Sequence, residues 1–172
     1  MTSGQWSVQT LDTQGGEAPS IAIDKDDHIH ISYGGDGGTL KYAHYDGNTW
    51  NMTVADPELD APQTGFDTAL AVDSRGTPHV AYSQGFTSCV GDPLRGHPKY
   101  ATILEDGLWW TETIDPRAIV RDMTIGVDSN DRPHIAYYHS KDAALTSLCG
   151  AAAVGHIKYA APLAANAPLS GL

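Results

Sequence analysis

Two segments of the chain hold most of the residues whose types could do chemistry. The segments 83–98 and 138–157 each contain Thr-Ser followed closely by a cysteine, and each includes Gly-His near its end. Thiolate sulfur and imidazole nitrogen are both ligands that zinc accepts. The candidate metal ligands among them are Cys89, His97, Cys149 and His156.

These residues leave three interpretations open. Cys89 and Cys149 could form a disulfide, which would imply an oxidising compartment. They could remain two free thiols. They could also join His97 and His156 in a Cys2His2 metal site, although Cys-x7-His and Cys-x6-His are not the spacings of zinc fingers. Apart from this possible metal ion, the sequence predicts no cofactor.

Other polar residues in these segments and in the neighbouring connections could bind a ligand or move protons. Arginine next to histidine and carboxylate suits a polar ligand such as a sugar, and an arginine could hold a carboxylate or other anion. The candidate general acids and bases are His97, His139, His156 and Asp92. The candidate ligand-binding residues are Glu17, Arg95, Arg117, Arg121, Lys141 and Asp142.

An internal repeat must position these residues. The stretch 19–33 returns as 67–82 and as 122–137, with an Asp, a His six residues later and a Tyr three residues after that. A period of about 50 residues is the signature of a repeat architecture. Because chemistry needs a residue once, three copies indicate structure: the Asp caps a turn and the His packs between repeats. The repeated residues are Asp24, His30, Tyr33, Asp73, His79, Tyr82, Asp128, His134 and Tyr137.

Each repeat is predicted to form four short strands. An apolar strand ends at the Asp turn, and an alternating strand such as HIHISY follows it, as expected for β-structure. The third strand contains Lys-Tyr-Ala, and the fourth runs from a Trp to an Asp six residues later, as in Trp50–Asp56 and Trp109–Asp115. The third repeat lacks this last strand, but Trp6–Asp12 has the same spacing at the start of the chain.

The turn before the fourth strand carries a further pattern. It reads Asp46-Gly47-Asn48-Thr49-Trp50 in the first repeat and Asp106-Gly107-Leu108-Trp109 in the second. With these turns, the four-stranded repeats resemble sialidase-type, Asp-box β-propellers, and the VDS-x-x-x-PH-x-AYY pattern is similar to bacterial propeller repeats of unassigned function. The resemblance implies an all-β propeller fold. It transfers no catalytic residue, because no arginine triad or Tyr/Glu nucleophile pair can be assigned.

Three repeats are too few for a closed ring, since propellers typically have four to eight blades. We therefore expect three four-stranded blades per chain and a six-bladed ring formed by a homodimer. Residues 5–12 would swap and complete the partner's last blade, beside Lys158 and Tyr159. The domain would cover residues 1–160, followed by an Ala/Pro-rich tail at 161–172. The alternative is that the chain is a piece of a longer propeller.

Charge limits the partners. The formal net charge is −11, which argues against nucleic acid and against an anionic membrane surface. No apolar run approaches the roughly 18 residues of a membrane span. The first ten residues do not resemble a signal peptide. We expect an extracellular protein if Cys89 and Cys149 form a disulfide, and otherwise a cytoplasmic one.

Three functions fit these observations. The first is a lectin-like protein that binds a glycan or other polar ligand at the loops around the channel mouth. The second is a propeller enzyme, of hydrolase or lyase type, that uses the histidines, Asp92 and arginines of the inserted loops. The third is a structural interaction domain without a small ligand. Since no clear nucleophile–base pair is present, we rank binding first.

Overall fold

The computed structural model describes residues 4–57, 67–84, 96–118, 120–140 and 155–163. Within these residues the chain forms eleven β-strands and one 3-10 turn at Asp36–Gly38. The strands are β1 (Gly15–Ile23), β2 (Ile29–Gly35), β3 (Leu40–Tyr45), β4 (Trp50–Asp56), β5 (Thr68–Val72), β6 (Pro78–Gln84), β7 (His97–Ile103), β8 (Trp109–Thr113), β9 (Val120–Val127), β10 (Pro133–Ser140) and β11 (Gly155–Ala160). The predicted all-β class is confirmed.

The strands form three antiparallel sheets, one for each sequence repeat. Sheet 1 has the order β1-β2-β3-β4, sheet 2 the order β5-β6-β7-β8, and sheet 3 the order β9-β10-β11. The first strands of successive sheets are neighbours, with β1 beside β5 and β5 beside β9. This arrangement is compatible with blades of a β-propeller. In the described part of the chain sheet 3 has no fourth strand, as the sequence predicts.

Each first strand ends because an aspartate caps the turn that follows. In sheet 2, Asp73 Oδ1 accepts hydrogen bonds from the backbone N–H groups of Arg75 (2.9 Å) and Thr77 (2.8 Å). Gly76 then adopts a φ of 86°, in the left-handed region that glycine, asparagine and aspartate tolerate best. The matching positions in the other sheets are Asp27 (φ 62°) and Asp131 (φ 59°). The predicted turn-capping role of the repeated aspartates is confirmed.

Two apolar clusters fill the spaces between adjacent sheets. The cluster between sheets 1 and 2 comprises Leu40, Tyr42, Ala55, Leu70, Val80, Tyr82 and Ala101. The cluster between sheets 2 and 3 comprises Ala69, Ala81, Tyr100, Ala118, Val120, Ile135 and Tyr137. Because each cluster takes side chains from two sheets, a single sheet cannot bury its own apolar face.

A buried polar contact fastens each sheet to the next. Asp56, at the end of β4, accepts a hydrogen bond from the Tyr82 hydroxyl of β6 and another from Lys99 Nζ of β7 at 2.7 Å. Asp115 accepts the same pair of bonds, from Tyr137 (3.3 Å) and Lys158 (2.6 Å) of sheet 3. We call this arrangement the Asp–Tyr–Lys clamp. It connects the final Asp of one repeat with the Tyr and Lys that all three repeats share.

The segment before β1 forms a third clamp. Asp12 accepts hydrogen bonds from Tyr33 (3.0 Å) and Lys41 (2.8 Å) of sheet 1. The hydrogen bond from Lys41 lowers the pKa of Asp12 to about 2. Residues Gly4–Leu11 form no β-strand within one chain, and the side chain of Trp6 is 96% exposed. Asp12 thus occupies the position that Asp56 and Asp115 occupy for the following sheets, although no sheet of the described residues precedes sheet 1 along the chain.

The two outer ends of the molecule expose residues whose counterparts are buried inside. At the sheet 1 end, Ile21 of β1 is 63% exposed, whereas its counterpart Leu70 of β5 is 8% exposed. At the sheet 3 end, Tyr159 is 66% exposed, whereas its counterpart Tyr42 is 5% exposed. The same contrast holds between Ile157 and Leu40. The two ends therefore carry the two halves of one kind of sheet-to-sheet contact.

The structure differs from the sequence prediction in some boundaries. The strand β1 starts at Gly15, five residues before the predicted apolar run, through irregular pairing between Gly15 and Ser20. The strand β8 ends at Thr113, before Asp115, since Ile114 donates its N–H to the carbonyl of Pro98 outside the regular ladder. In the ranges described above, no helix is long and apolar enough to cross a membrane.

Candidate functional site

The repeated histidines make their polar contacts inside their own sheets, where His30 and His79 are buried and the side chain of His134 is 35% exposed. In sheet 1, Nδ1 of His30 lies 2.5 Å from the Tyr42 hydroxyl, and Nε2 lies 3.4 Å from Asp24 Oδ2. The tautomer that fits has the tyrosine hydroxyl donating to Nδ1 and the Nε2–H directed at the carboxylate. This is a neutral imidazole, and burial lowers the pKa of His30. Both ring nitrogens of His30 thus lie next to a polar group.

Sheets 2 and 3 repeat the same geometry. Nδ1 of His79 lies 2.6 Å from the Tyr100 hydroxyl, and Nε2 lies 3.6 Å from Asp73 Oδ2. In sheet 3 the ring of His134 contacts the Tyr159 hydroxyl and lies 3.2 Å from Asp128. Threefold repetition identifies these sets as parts of the fold. The hydrogen bonds lie within one sheet, and the predicted role in packing between repeats stays a prediction.

The loop end of the sheets holds the predicted site histidines. His97 begins β7, His139 lies near the end of β10, and His156 lies near the start of β11 directly opposite His139. His97 donates its Nδ1–H to the carbonyl of Ala118 at 2.8 Å. Where side chains are described, none of the three histidines is hydrogen-bonded to another. Glu17 and Arg117 are exposed at this same end.

Several predicted residues lie outside the described part of the chain. This applies to the disulfide and metal candidates Cys89 and Cys149, and to four of the loop candidates, which are Asp92, Arg95, Lys141 and Asp142. Arg121 is placed in β9, and only its backbone is described. The disulfide, free-thiol and metal interpretations therefore stay predictions. In the described residues no group of three or more His, Cys, Asp or Glu side chains could hold a metal ion.

A cleft that the sequence did not indicate lies at the opposite end, between sheets 1 and 2. Its volume is about 550 Å³. Sheet 1 contributes ring side chains from β2 and β3, and sheet 2 contributes the turn after β5 and the end of β7. The lining residues are His30, Tyr42, His44, Arg75, Gly76, Thr77, Pro78, His79, Thr102, Ile103, Leu104 and Glu105.

Three polar groups of this cleft, from His44, Arg75 and Glu105, come from positions where the repeats differ. His44 has Thr102 as its counterpart in sheet 2 and Ala161 in the third repeat. The ring of His44 lies 4.7 Å from that of His30 and 5.5 Å from that of His28, between centroids. Glu105 occupies a turn one residue longer than its counterpart in sheet 1. A repeat-by-repeat search for departures from the common pattern would have found both residues.

Arg75 is the cation on the rim of the cleft. Its guanidinium donates to Asp73 Oδ2 at 3.0 and 3.2 Å, and its side chain is 67% exposed. Arg75 Nε also lies 3.8 Å from Asp131 in sheet 3. These carboxylates hold the guanidinium in one orientation while its outer surface faces solvent. The cleft therefore offers a fixed cation, the carboxylate of Glu105, hydroxyl and imidazole groups, and the faces of aromatic rings.

Comparisons with known proteins show a likeness in fold. No family model matches the sequence, and no curated protein matches it. Among solved structures, a fucose lectin from Kordia zhangzhouensis in complex with methyl-fucoside has a similar fold, with a TM-score of 0.52 and 17% sequence identity. The alignment covers 84% of this chain and 96% of the lectin chain. At this identity the likeness concerns the fold alone, and the resemblance to Asp-box propellers stays a prediction.

Proposed function

We propose that the chain is a lectin-like protein whose glycan site is the cleft between sheets 1 and 2. The observation that carries the proposal is the composition of this cleft: about 550 Å³ lined by an arginine, a glutamate, hydroxyl groups and ring faces. Ligand sites are typically concave and combine apolar walls with a few fixed polar groups. Sugars present hydroxyl groups together with apolar C–H faces, so both parts of the lining have a partner.

The fold likeness supports the same conclusion. The fucose lectin binds methyl-fucoside on a fold similar to that of this chain. We propose a monosaccharide-sized glycan unit for the cleft described here. The sequence analysis expected the ligand at the loops around the channel mouth, at the other end of the sheets. The described residues of that end form no comparable set of convergent polar groups, and this is why we favour the cleft.

The proposal predicts that two changes in the cleft weaken glycan binding. The full chain is first screened on a glycan array, and the best ligand is then measured by calorimetry. We expect Glu105→Gln to raise the Kd by about tenfold or more, because a hydrogen bond to a charged group is worth roughly 1.5–3 kcal/mol. We expect His44→Ala to raise the Kd by about fivefold, because a hydrogen bond between neutral groups is worth about 1 kcal/mol.

His156→Ala, at the opposite end of the sheets, is the matched control and should leave the Kd unchanged. Loss of binding with His156→Ala but not with His44→Ala would move the site to the inserted loops. Turnover of a glycan that depends on His97 or His156 would favour the enzyme alternative. Absence of binding to any glycan would contradict the proposal and favour an interaction domain.

We also propose that the lectin is a six-bladed β-propeller ring formed by two copies of the chain. The exposed counterparts at the two ends support this, since the sheet 3 end of one copy can cover Ile21 and neighbouring residues of the other. Large exposed apolar patches are unusual on soluble monomers. Among rings of four to eight blades, only six is a multiple of three. Two such contacts would close a twofold symmetric ring.

In this ring residues 5–12 would complete the partner's third blade. The Asp12 clamp supports this, because the matching aspartates Asp56 and Asp115 each lie at or just after the end of the outer strand of the preceding sheet. Sedimentation equilibrium of the full chain should give twice the mass of one chain. A compact monomer at micromolar concentration would contradict the ring.

A further inference from the structure

Two adjacent tryptophans of β8 point to opposite sides of sheet 2. Trp109 packs against sheet 1, with its ring 5.1 Å from that of Tyr42 in an edge-to-face arrangement. Its indole Nε1–H donates to Thr53 Oγ1 at 3.2 Å. Tyr42 and Thr53 are directly opposite each other on β3 and β4. We call the surface formed by Tyr42 and Thr53 a tryptophan seat. It shows how the first Trp of an outer strand docks on the preceding sheet.

Sheet 2 presents the same kind of seat on its other side. Tyr100 and Glu112 are directly opposite each other on β7 and β8, as Tyr42 and Thr53 are in sheet 1. Trp110 lies on this side, with its ring 6.1 Å from that of Tyr100 in an edge-to-face arrangement, and it is 41% exposed. By the symmetry of the repeats, the Trp of the outer strand of sheet 3 belongs here. In the described residues of this chain, sheet 3 has no outer strand to supply it.

A single segment of the sequence fits the seat. Trp6–Asp12 has the Trp-to-Asp spacing of β4, and its Asp12 already forms the clamp that follows an outer strand. Trp6 and Val8 are 96% and 93% exposed, so neither side chain is packed within its own chain. Because Asp12 is held against sheet 1, the sheet that the segment completes must lie in front of sheet 1. A second copy of the chain offers this sheet as its sheet 3.

We propose that Trp6 of a second copy docks on the face formed by Tyr100, Trp110 and Glu112. In this seat its indole N–H donates to the Glu112 carboxylate, as Trp109 donates to Thr53, and its ring packs beside Trp110. The inference rests on the ring proposed above and deepens it, since it names the contact on which closure depends. It also assigns Trp110 to the subunit contact, which the sequence left open between a contact and an exposed platform.

The test is the dimer dissociation constant, measured by sedimentation equilibrium without any glycan. Buried aromatic residues at the centre of an interface are typical hot spots. We therefore expect Trp6→Ala and Trp110→Ala each to raise the Kd of the dimer by at least about tenfold. Because the two rings touch in the proposed seat, the double variant should be weakened by clearly less than the product of the single effects.

Three further variants make the result specific. Leu108→Ala, exposed in the turn next to the seat, is the control and should leave the Kd unchanged. Glu112→Gln retains an acceptor oxygen and should weaken the dimer less than Glu112→Leu. Circular dichroism of each variant checks that the sheets remain folded.

Independent effects of Trp6→Ala and Trp110→Ala, or no effect of either, would overturn the seat. A wild-type monomer would overturn the ring and the seat together. A dimer with the expected variant pattern but without glycan binding would overturn the lectin proposal alone.

Discussion

Replacing Asp56 with alanine is expected to lower the free energy of unfolding by about 3–5 kcal/mol. Asp56 and Lys99 are both more than nine-tenths buried, and Lys99 Nζ lies 2.7 Å from Asp56 Oδ2. The alanine variant leaves the buried ammonium with the neutral amide oxygen of Gln84, which lies 2.6 Å from Lys99 Nζ, in place of a carboxylate, and it removes the carboxylate that accepts from the Tyr82 hydroxyl. Removing one partner of a buried ion pair costs much more than an exposed ion pair contributes. Urea unfolding at pH 7 measures the loss.

Asp115→Ala is the matched control for this prediction. Asp115 makes the same clamp to Tyr137 and Lys158, but its own side chain and that of Lys158 are 23% and 38% exposed. In a single chain water can replace the lost carboxylate there, so at chain concentrations below the Kd of the proposed dimer we expect a loss of about 1 kcal/mol or less. Asp56→Asn, which keeps the shape and one acceptor, should lie between the two alanine variants. Equal losses for Asp56→Ala and Asp115→Ala would contradict the argument from burial.

The strands could be predicted from the sequence because their signals are local. The Asp turn, the alternating HIHISY pattern and the Trp at the start of the fourth strand each report on a few neighbouring residues. Three copies of the pattern remove most of the ambiguity of a single copy, and the sheets follow the predicted strand order. Boundaries such as Gly15 and Thr113 were missed, since they depend on irregular pairing rather than on residue type.

The contacts between sheets could not be predicted from these local signals. The clamp joins Asp56 to Lys99, which is 43 residues away along the chain. The sequence shows three copies of each residue, but not that the Asp of one repeat binds the Lys of the next. The cleft was missed for the same reason. His44 and Glu105 line the same cleft only when sheets 1 and 2 pack side by side.

The loop residues present the opposite situation. His139 and His156 were expected at one end of the sheets, and the register of β10 and β11 places them directly opposite each other. The topology of antiparallel strands is sufficient for this placement, because alternate connections lie at the same end. Side-chain chemistry at that end depends on the inserted segments around Cys89 and Cys149, for which the repeats provide no template.

Acidification from pH 7.5 to pH 5 is expected to destabilise the folded chain. His30 and His79 are buried, and burial lowers the pKa of both imidazoles. In the unfolded chain a histidine titrates near pH 6.5, so the unfolded state binds protons first as the pH falls. The stability due to neutral burial is therefore fully present above about pH 6.5 and is lost below it. The loss is at most about 1.4 kcal/mol per pH unit for each of the two histidines.

The groups around each imidazole ring determine which substitutions can test the slope of unfolding free energy against pH. His30 faces Asp24, His28 and His44, and His79 faces Asp73, Arg75 and Asp131. The carboxylates favour the protonated rings, but burial outweighs them in both cases.

His79→Gln keeps a donor for Asp73 and an acceptor for the Tyr100 hydroxyl, and it cannot titrate. We expect it to reduce the slope of unfolding free energy against pH. A slope that survives in a variant carrying both His79→Gln and His30→Gln would show that other groups take up the protons. Carboxylates such as Asp24, whose pKa is lowered to about 2, take up protons only at lower pH. Their effect on stability is therefore seen at a lower pH than the effect of the two histidines.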